Sequence, residues 1–144
     1  MLNSRREDGY ELSADPDRID LPLVHGWLST DAYWALGRPA DQMRAALAGS
    51  EPYGIYRDGV QVAVARVITD GALFAYLCDV YVDREHRGRG LGNWLVGLLR
   101  DHYAGRGLRR FLLATNDAHG LYARHGFVDV EPGRWMECDL RSVT

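Results

Sequence analysis

The stretch Arg84–Leu95, "REHRGRGLGNWL", decides how this chain reads. Three glycines, Gly88, Gly90 and Gly92, stand on alternate positions among arginines, directly after an apolar and aromatic run. Glycine has no Cβ, so other atoms can come close to its backbone amide. From Leu91 onward, Leu91, Trp94, Leu95, Leu98, Leu99 and Tyr103 recur at helical spacing and form one apolar face. The start of a helix leaves N–H groups unpaired and carries partial positive charge, which makes an anion site. Arg87 and Arg89 add fixed charge and forked donors at its rim. The anion that suits this arrangement is a phosphate. A strand-to-helix turn that needs glycine for shape alone is the plain alternative.

The bulk properties narrow the field. The chain has 144 residues, 47% of them hydrophobic and 26% charged, as expected of a single soluble globular domain with one sizeable core. A net charge of −3 argues against general nucleic-acid binding. The polar opening "MLNSRREDGYEL" does not read as a secretory signal, and no apolar stretch is long enough to span a bilayer. The expected location is therefore cytoplasmic. Cys78 and Cys138 lie far apart inside apolar, strand-like runs and read as buried thiols, and no metal-ligand spacing is present. All 17 basic side chains are arginine. Without lysine there is neither Schiff-base catalysis nor a lysine-dependent P-loop.

Outward from the glycines, the chain reads as one mixed α/β domain. A strand candidate covers Tyr10–Leu12, and helices are expected from Asp20 and over Pro39–Ala48, with "STDAYWALGRP" between them as a loop or short helix. Tyr53–Arg57, Val60–Thr69 and Ala72–Val82 are separated by Asp58-Gly59 and Asp70-Gly71, which predicts three antiparallel strands joined by hairpins. After the helix that begins at Leu91 come a strand over Arg109–Thr115 and a short helix in "NDAHGLYARHG". "FVDV" and "RWMECDL" are expected to close the chain as two further strands. That gives a mostly antiparallel sheet of about seven strands flanked by helices, in the order β-α-α-β-β-β-α-β-α-β-β.

Two familiar phosphate motifs do not fit. A dinucleotide fingerprint wants G-x-G-x-x-G, whereas position 93 is asparagine, and no acidic residue falls about 20 positions on. "RGRGLG" instead resembles the acetyl-CoA signature of the GNAT superfamily of N-acetyltransferases, carried here by Arg87, Gly90 and Gly92. "NDAHGLYARHGF" resembles that family's second signature through Asn116, Leu121, Tyr122, Gly126 and Phe127, although His119 stands where the family usually has alanine. The order of elements is similar from end to end.

The resemblance implies an acetyl-CoA-dependent N-acetyltransferase that moves an acetyl group directly to a primary amine of a small molecule or peptide. The backbone from Arg87 through Gly88, Arg89, Gly90, Leu91 and Gly92 to Asn93 would hold the CoA diphosphate. Val80 and Val82 would pair with its pantetheine arm, Asn116 would hydrogen-bond the cofactor, and Tyr122 would lie near the thioester sulfur as the acid. The base stays open between Asp79, Glu85, His119 and water. Asp79 is the lone charge in a buried run, and its alternative is an ion pair with an arginine such as Arg66. Tyr33, Trp34 and Arg38 are candidates for the acceptor side, or else core packing. A CoA-binding module without catalysis, and a homodimer, also stay open.

Overall fold

The computed structural model describes residues 1–143. A hairpin of β1 (Asn3–Arg5) and β2 (Tyr10–Ser13) opens the chain, followed by helices α1 (Leu21–Asp31) and α2 (Ala40–Ala48). Strands β3 (Glu51–Arg57), β4 (Val60–Thr69) and β5 (Phe74–Val82) lead into helix α3 (Leu91–Gly105), strand β6 (Arg110–Leu112) and helix α4 (His119–Ala123). The strands form one six-stranded sheet in sequence order, antiparallel throughout except for the parallel pair β5–β6. Among the described residues, no helix is long and apolar enough to cross a membrane.

Local chemistry explains the boundaries. The Asp20 carboxylate accepts the Leu23 amide at 3.2 Å and caps α1, with Pro22 in the first turn. Asp58 and Gly59 both take positive φ (51° and 79°), as a tight hairpin with the sheet's twist requires. In the next connection Asp70 Oδ1 accepts three amides, from Ala72, Leu73 and Phe74. The side chain thereby takes the donors a strand would need, and β5 begins at Phe74 instead of Ala72.

The sheet buries both faces. Leu91, Leu95, Val96, Leu99 and Tyr103 of α3 pack with Leu12, Ile55, Ala63, Ala65 and Leu77 on one side. Val24, Leu28 and Met43 of α1 and α2 pack with Val64 and Tyr81 on the other. That three-layer arrangement is why the central strands are apolar almost without interruption.

Two irregularities shape the C-terminal half of β5. Its pairing with β6 runs only from Phe74–Arg110 to Tyr76–Leu112, so beyond Tyr76 that edge of β5 has no strand partner. Further along, Asp79 takes a φ of 54° and the register with β4 slips between Val64 and Arg66. Asp79 and Val80 together therefore oppose Ala65, which makes a β-bulge.

The two closing strands expected at residues 127–130 and 134–140 are absent. The turn between them does form, with the Arg134 amide on the Glu131 carbonyl at 3.2 Å and Gly133 at φ 81°. The flanks, however, have little to bury. Phe127 packs on Phe111 and Tyr122, whereas Val128, Val130, Trp135, Met136 and Leu140 are exposed. A two-stranded ribbon without a buried face is marginal. This segment stands off β6 across a cavity of about 1060 Å³. Cys138 consequently lies on the surface and is not the buried thiol expected, and β1 is a strand the sequence did not announce.

Two substitutions separate core from tail. Leu95→Ala should cost about 2–5 kcal/mol in chemical denaturation, since Leu95 is fully buried. Met136→Ala, at a side chain 98% exposed, should change stability by less than about 0.5 kcal/mol.

Candidate active site

The glycine turn links the end of β5 to the start of α3. Gly88 and Gly90 have φ of 78° and 74°, a region that a side chain rarely tolerates. A Cβ at Gly88 would meet nothing within 4 Å, so the backbone lies open on that side. Gly90 is the N-cap of α3 and supplies no side-chain acceptor; the first helical bond runs from the Trp94 amide to its carbonyl at 2.9 Å. The first-turn amides of Leu91, Gly92 and Asn93 thus end in an uncapped, positively polarised helix start. At Gly92 a Cβ would stand 3.6 Å from Leu121, so this glycine faces α4.

Neighbouring side chains hold the turn in place. Arg6 donates to the Arg89 carbonyl at 2.9 Å, and Arg89 donates to the Tyr10 hydroxyl at 3.1 Å. Tyr10 also bonds the His86 ring at 2.8 Å. Arg87 Nε donates to the Val82 carbonyl at 2.8 Å, and its guanidinium lies over the Tyr81 ring and 3.5 Å from Asp31. Asp31 also accepts from Tyr81 at 2.5 Å and from Arg84. The Arg84 hydrogen bond, then that of Tyr81, hold the Asp31 carboxyl well below the usual carboxylate range. The Asn93 side-chain oxygen accepts from the His125 ring at 2.6 Å, which ties the first turn of α3 to the segment after α4.

Register defines which way the end of β5 faces. Val82 stands opposite Ala63, yet the bond across the pair is made by the Asp83 amide on the Val62 carbonyl at 2.8 Å. Val82 is therefore in a non-hydrogen-bonded position, and its own N–H and C=O point to the opposite, unpaired edge. Its carbonyl meets Arg87 there. Val80, the second residue of the bulge, is half-buried like Val82.

The bulge residue Asp79 is buried, only 4% exposed. Its Oδ1 accepts the Trp34 indole N–H at 2.8 Å, and its Oδ2 accepts Arg38 at 2.8 Å and Arg66 at 2.6 Å. Burial alone raises its pKa; the hydrogen bonds and charges of the two arginines outweigh that and hold it below the ordinary value. Tyr33 stands edge-on to Trp34, ring centres 5.0 Å apart, and its hydroxyl accepts the Asn116 amide at 2.9 Å. The segment between α1 and α2 thus reaches both arms of the opening, Asp79 on β5 and Asn116 after β6. Tyr33 and Trp34 remain 44% and 42% exposed. Cys78, also on β5, has its thiol pushed up to about 11 by burial, which leaves it without thiolate character at neutral pH.

Tyr122 on α4 packs edge-on against Phe127 at 5.8 Å. Burial, then Tyr33 and Asp117, push its pKa up to about 12. Asn116, His119 and Tyr122 all line the cavity beside β6. Glu85 lies exposed on the short turn after β5.

The chain belongs to the acetyltransferase (GNAT) family, whose model matches residues 21–127. It is an acyltransferase of a family that uses acetyl-CoA. It is similar to an inferred acetyltransferase from Gibberella zeae, FG08082, at 34% identity over 136 positions covering 81% of this chain and 77% of that one. Among solved structures it is similar to a GNAT-family protein from Xanthomonas campestris pv. campestris, with a TM-score of 0.87 and 43% identity over 97% and 98% of the two chains. A Clostridium acetobutylicum structure with acetyl-CoA shares the fold, at TM-score 0.67 and 16% identity over 92% and 96%.

Apart from Asn116, His119 and Tyr122 beside β6, most of the predicted residues fall into two groups around β5. Val82, Arg87–Asn93 and their neighbours gather at the end of β5; Tyr33, Trp34, Arg38 and Asp79 gather at its bulge. Arg6, Tyr10, His86 and Asp31 escaped sequence reasoning because their partners are remote in the chain and no motif marks them. Arg66, expected as a partner of Asp79, is one of two.

Asp79→Asn keeps a residue that tolerates positive φ but leaves two half-buried guanidiniums unbalanced. It should cost about 3–5 kcal/mol, roughly 10 °C in melting temperature. Because the Asp79 pKa is depressed, its contribution is full above the free value of 3.8 and fades as pH falls through the folded-state value. The difference between wild type and variant should therefore shrink on acidification, as read by melting curves at pH 7 and pH 3.

Proposed function

We propose that this protein transfers an acetyl group from acetyl-CoA directly to a primary amine of a small molecule or peptide, with both substrates bound at once. The observation that carries this reading is the placement along β5 of an open glycine turn, an unpaired strand edge and a half-exposed aromatic pair. The residues present fit the cofactor. Gly88 leaves open space above its backbone, α3 starts without a side-chain cap, and Val82 turns its polar groups to the free edge.

Acetyl-CoA brings the acetyl group as a thioester. The amides from Arg87 to Asn93 hold its diphosphate, with Arg87 and Arg89 supplying charge at the rim. Val80 and Val82 align its arm along β5, and Asn116 secures it from the opposite arm. Free N–H groups on the β5 edge beyond Tyr76 stabilise the negative charge that develops on the acyl oxygen. Tyr122 donates a hydrogen bond to the departing sulfur. With its pKa near 12, against about 8.5 for a thiol, full proton transfer would be uphill by about 5 kcal/mol. Its part is to donate, not to give the proton away.

Asp79 is already bound by three donors and has little basicity left for an ammonium proton. It serves by fixing Trp34 and Arg38, which with Tyr33 form the acceptor wall. The amine enters through this half-exposed wall and loses its proton to water.

The test is release of free thiol from acetyl-CoA across a panel of amines. Tyr122→Phe should keep acetyl-CoA affinity by calorimetry while kcat falls about 100-fold; unchanged turnover would take Tyr122 out of the chemistry. With water as the proton acceptor, kcat/KM should rise with pH up to the acceptor's own pKa, about 10.4 for a lysine-type amine. That inflection should move when an acceptor of different pKa is used. An inflection that stays fixed would instead identify a base on the enzyme.

A further inference from the structure

The Asp79 cluster is not electrically balanced. Two guanidiniums, Arg38 and Arg66, share one carboxylate, which leaves one positive charge in excess. Their side chains are only 18% and 13% exposed, and among the described residues no second acid pairs with either. Arg66 is nonetheless well occupied, with Nε on Asp79 and Nη1 on Ser50 Oγ at 3.0 Å. Arg38 is not: its side chain engages Asp79 through Nη1 alone, so the rest of its fork has donors to offer. Its backbone is fixed as well, since its carbonyl is bonded by His25 at 2.7 Å.

A half-buried, positioned guanidinium with idle donors is a receptor for an oxyanion. Its neighbour on the same carboxylate is Trp34, whose exposed ring offers an apolar surface beside the charge. Resting on the transferase reading, we propose that the acceptor is an amine that also carries an oxyanion, a carboxylate or a phosphate. Arg38 binds that oxyanion while the body of the molecule lies on Trp34 and Tyr33. The acceptor is then close to neutral overall. A diamine or polyamine meets the excess positive charge and is repelled.

The experiment pairs acceptors that differ only in the anion. β-Alanine and O-phosphoethanolamine are compared with propylamine, phenylalanine with phenethylamine, and putrescine serves as the dication. At least one anionic amine should exceed its uncharged-bodied counterpart about tenfold or more in kcat/KM, and the first two separate carboxylate from phosphate. Arg38→Met should remove that advantage by raising KM for the anionic acceptor, with KM for acetyl-CoA unchanged. Because that variant also disturbs the Asp79 cluster, the wild-type enzyme supplies a second measurement. Propionate, phenylacetate or methyl phosphate should inhibit competitively against the acceptor. Preference for the simple amines or putrescine, or no competition from any bare oxyanion, would overturn the inference and leave the transferase reading standing. Absence of thiol release with every amine would overturn the transferase reading itself.

Discussion

One buried carboxylate ties the segment between α1 and α2 to the central sheet. Asp79 sits at a bulge in β5, in a backbone conformation unfavourable to most residues, and accepts from Trp34, Arg38 and Arg66 at once. Such local strain persists only where the surroundings over-determine it. Here three donors from two separate segments do so, and in return the carboxylate fixes the connection between α1 and α2 against the sheet. The bulge also breaks the regular ladder at the place where β5 has parted from β6. The opening of the sheet and the wall that lines it therefore share one anchor.

The other half of the site is built differently, from backbone instead of side chains. At the glycine turn the backbone lies open at an uncapped helix start, and side chains brace it. Arg6 and Tyr10 come from the first hairpin, His86 and Arg87 from the turn itself, and Asp31 from the end of α1. A polyanion pulls hard on whatever holds it, and an unbraced loop would lose conformational entropy each time it bound. Bracing from three directions places that cost in folding.

How much is legible in the sequence depends on the range of the interactions. Gly88 and Gly90 declare a turn because their conformation is a property of the residue, and the period of Leu91 to Tyr103 declares α3 because a helix is local. Asp58-Gly59 marks a hairpin for the same reason. The Asp70 connection reads two residues short, since a side chain capping three amides looks in the sequence like any turn aspartate. Asp79 stands out as a charge among apolar residues, but only the fold shows that its partners lie on two other elements. The tail misleads because alternation in "FVDV" is a necessary condition for a strand and not a sufficient one. Pairing also needs a surface to cover, and beyond Phe127 the chain finds none.

The arginine rim of the glycine turn has one further consequence. Arg6, Arg84, Arg87 and Arg89 surround the turn proposed for the diphosphate of acetyl-CoA, and the sequence has no lysine anywhere. A guanidinium stays protonated and is a poor nucleophile, so it can attract phosphate without competing for the acyl group. An ammonium side chain that reached the thioester would be a target for self-modification. The enzyme has its positive charge in the one form that its own reagent leaves alone.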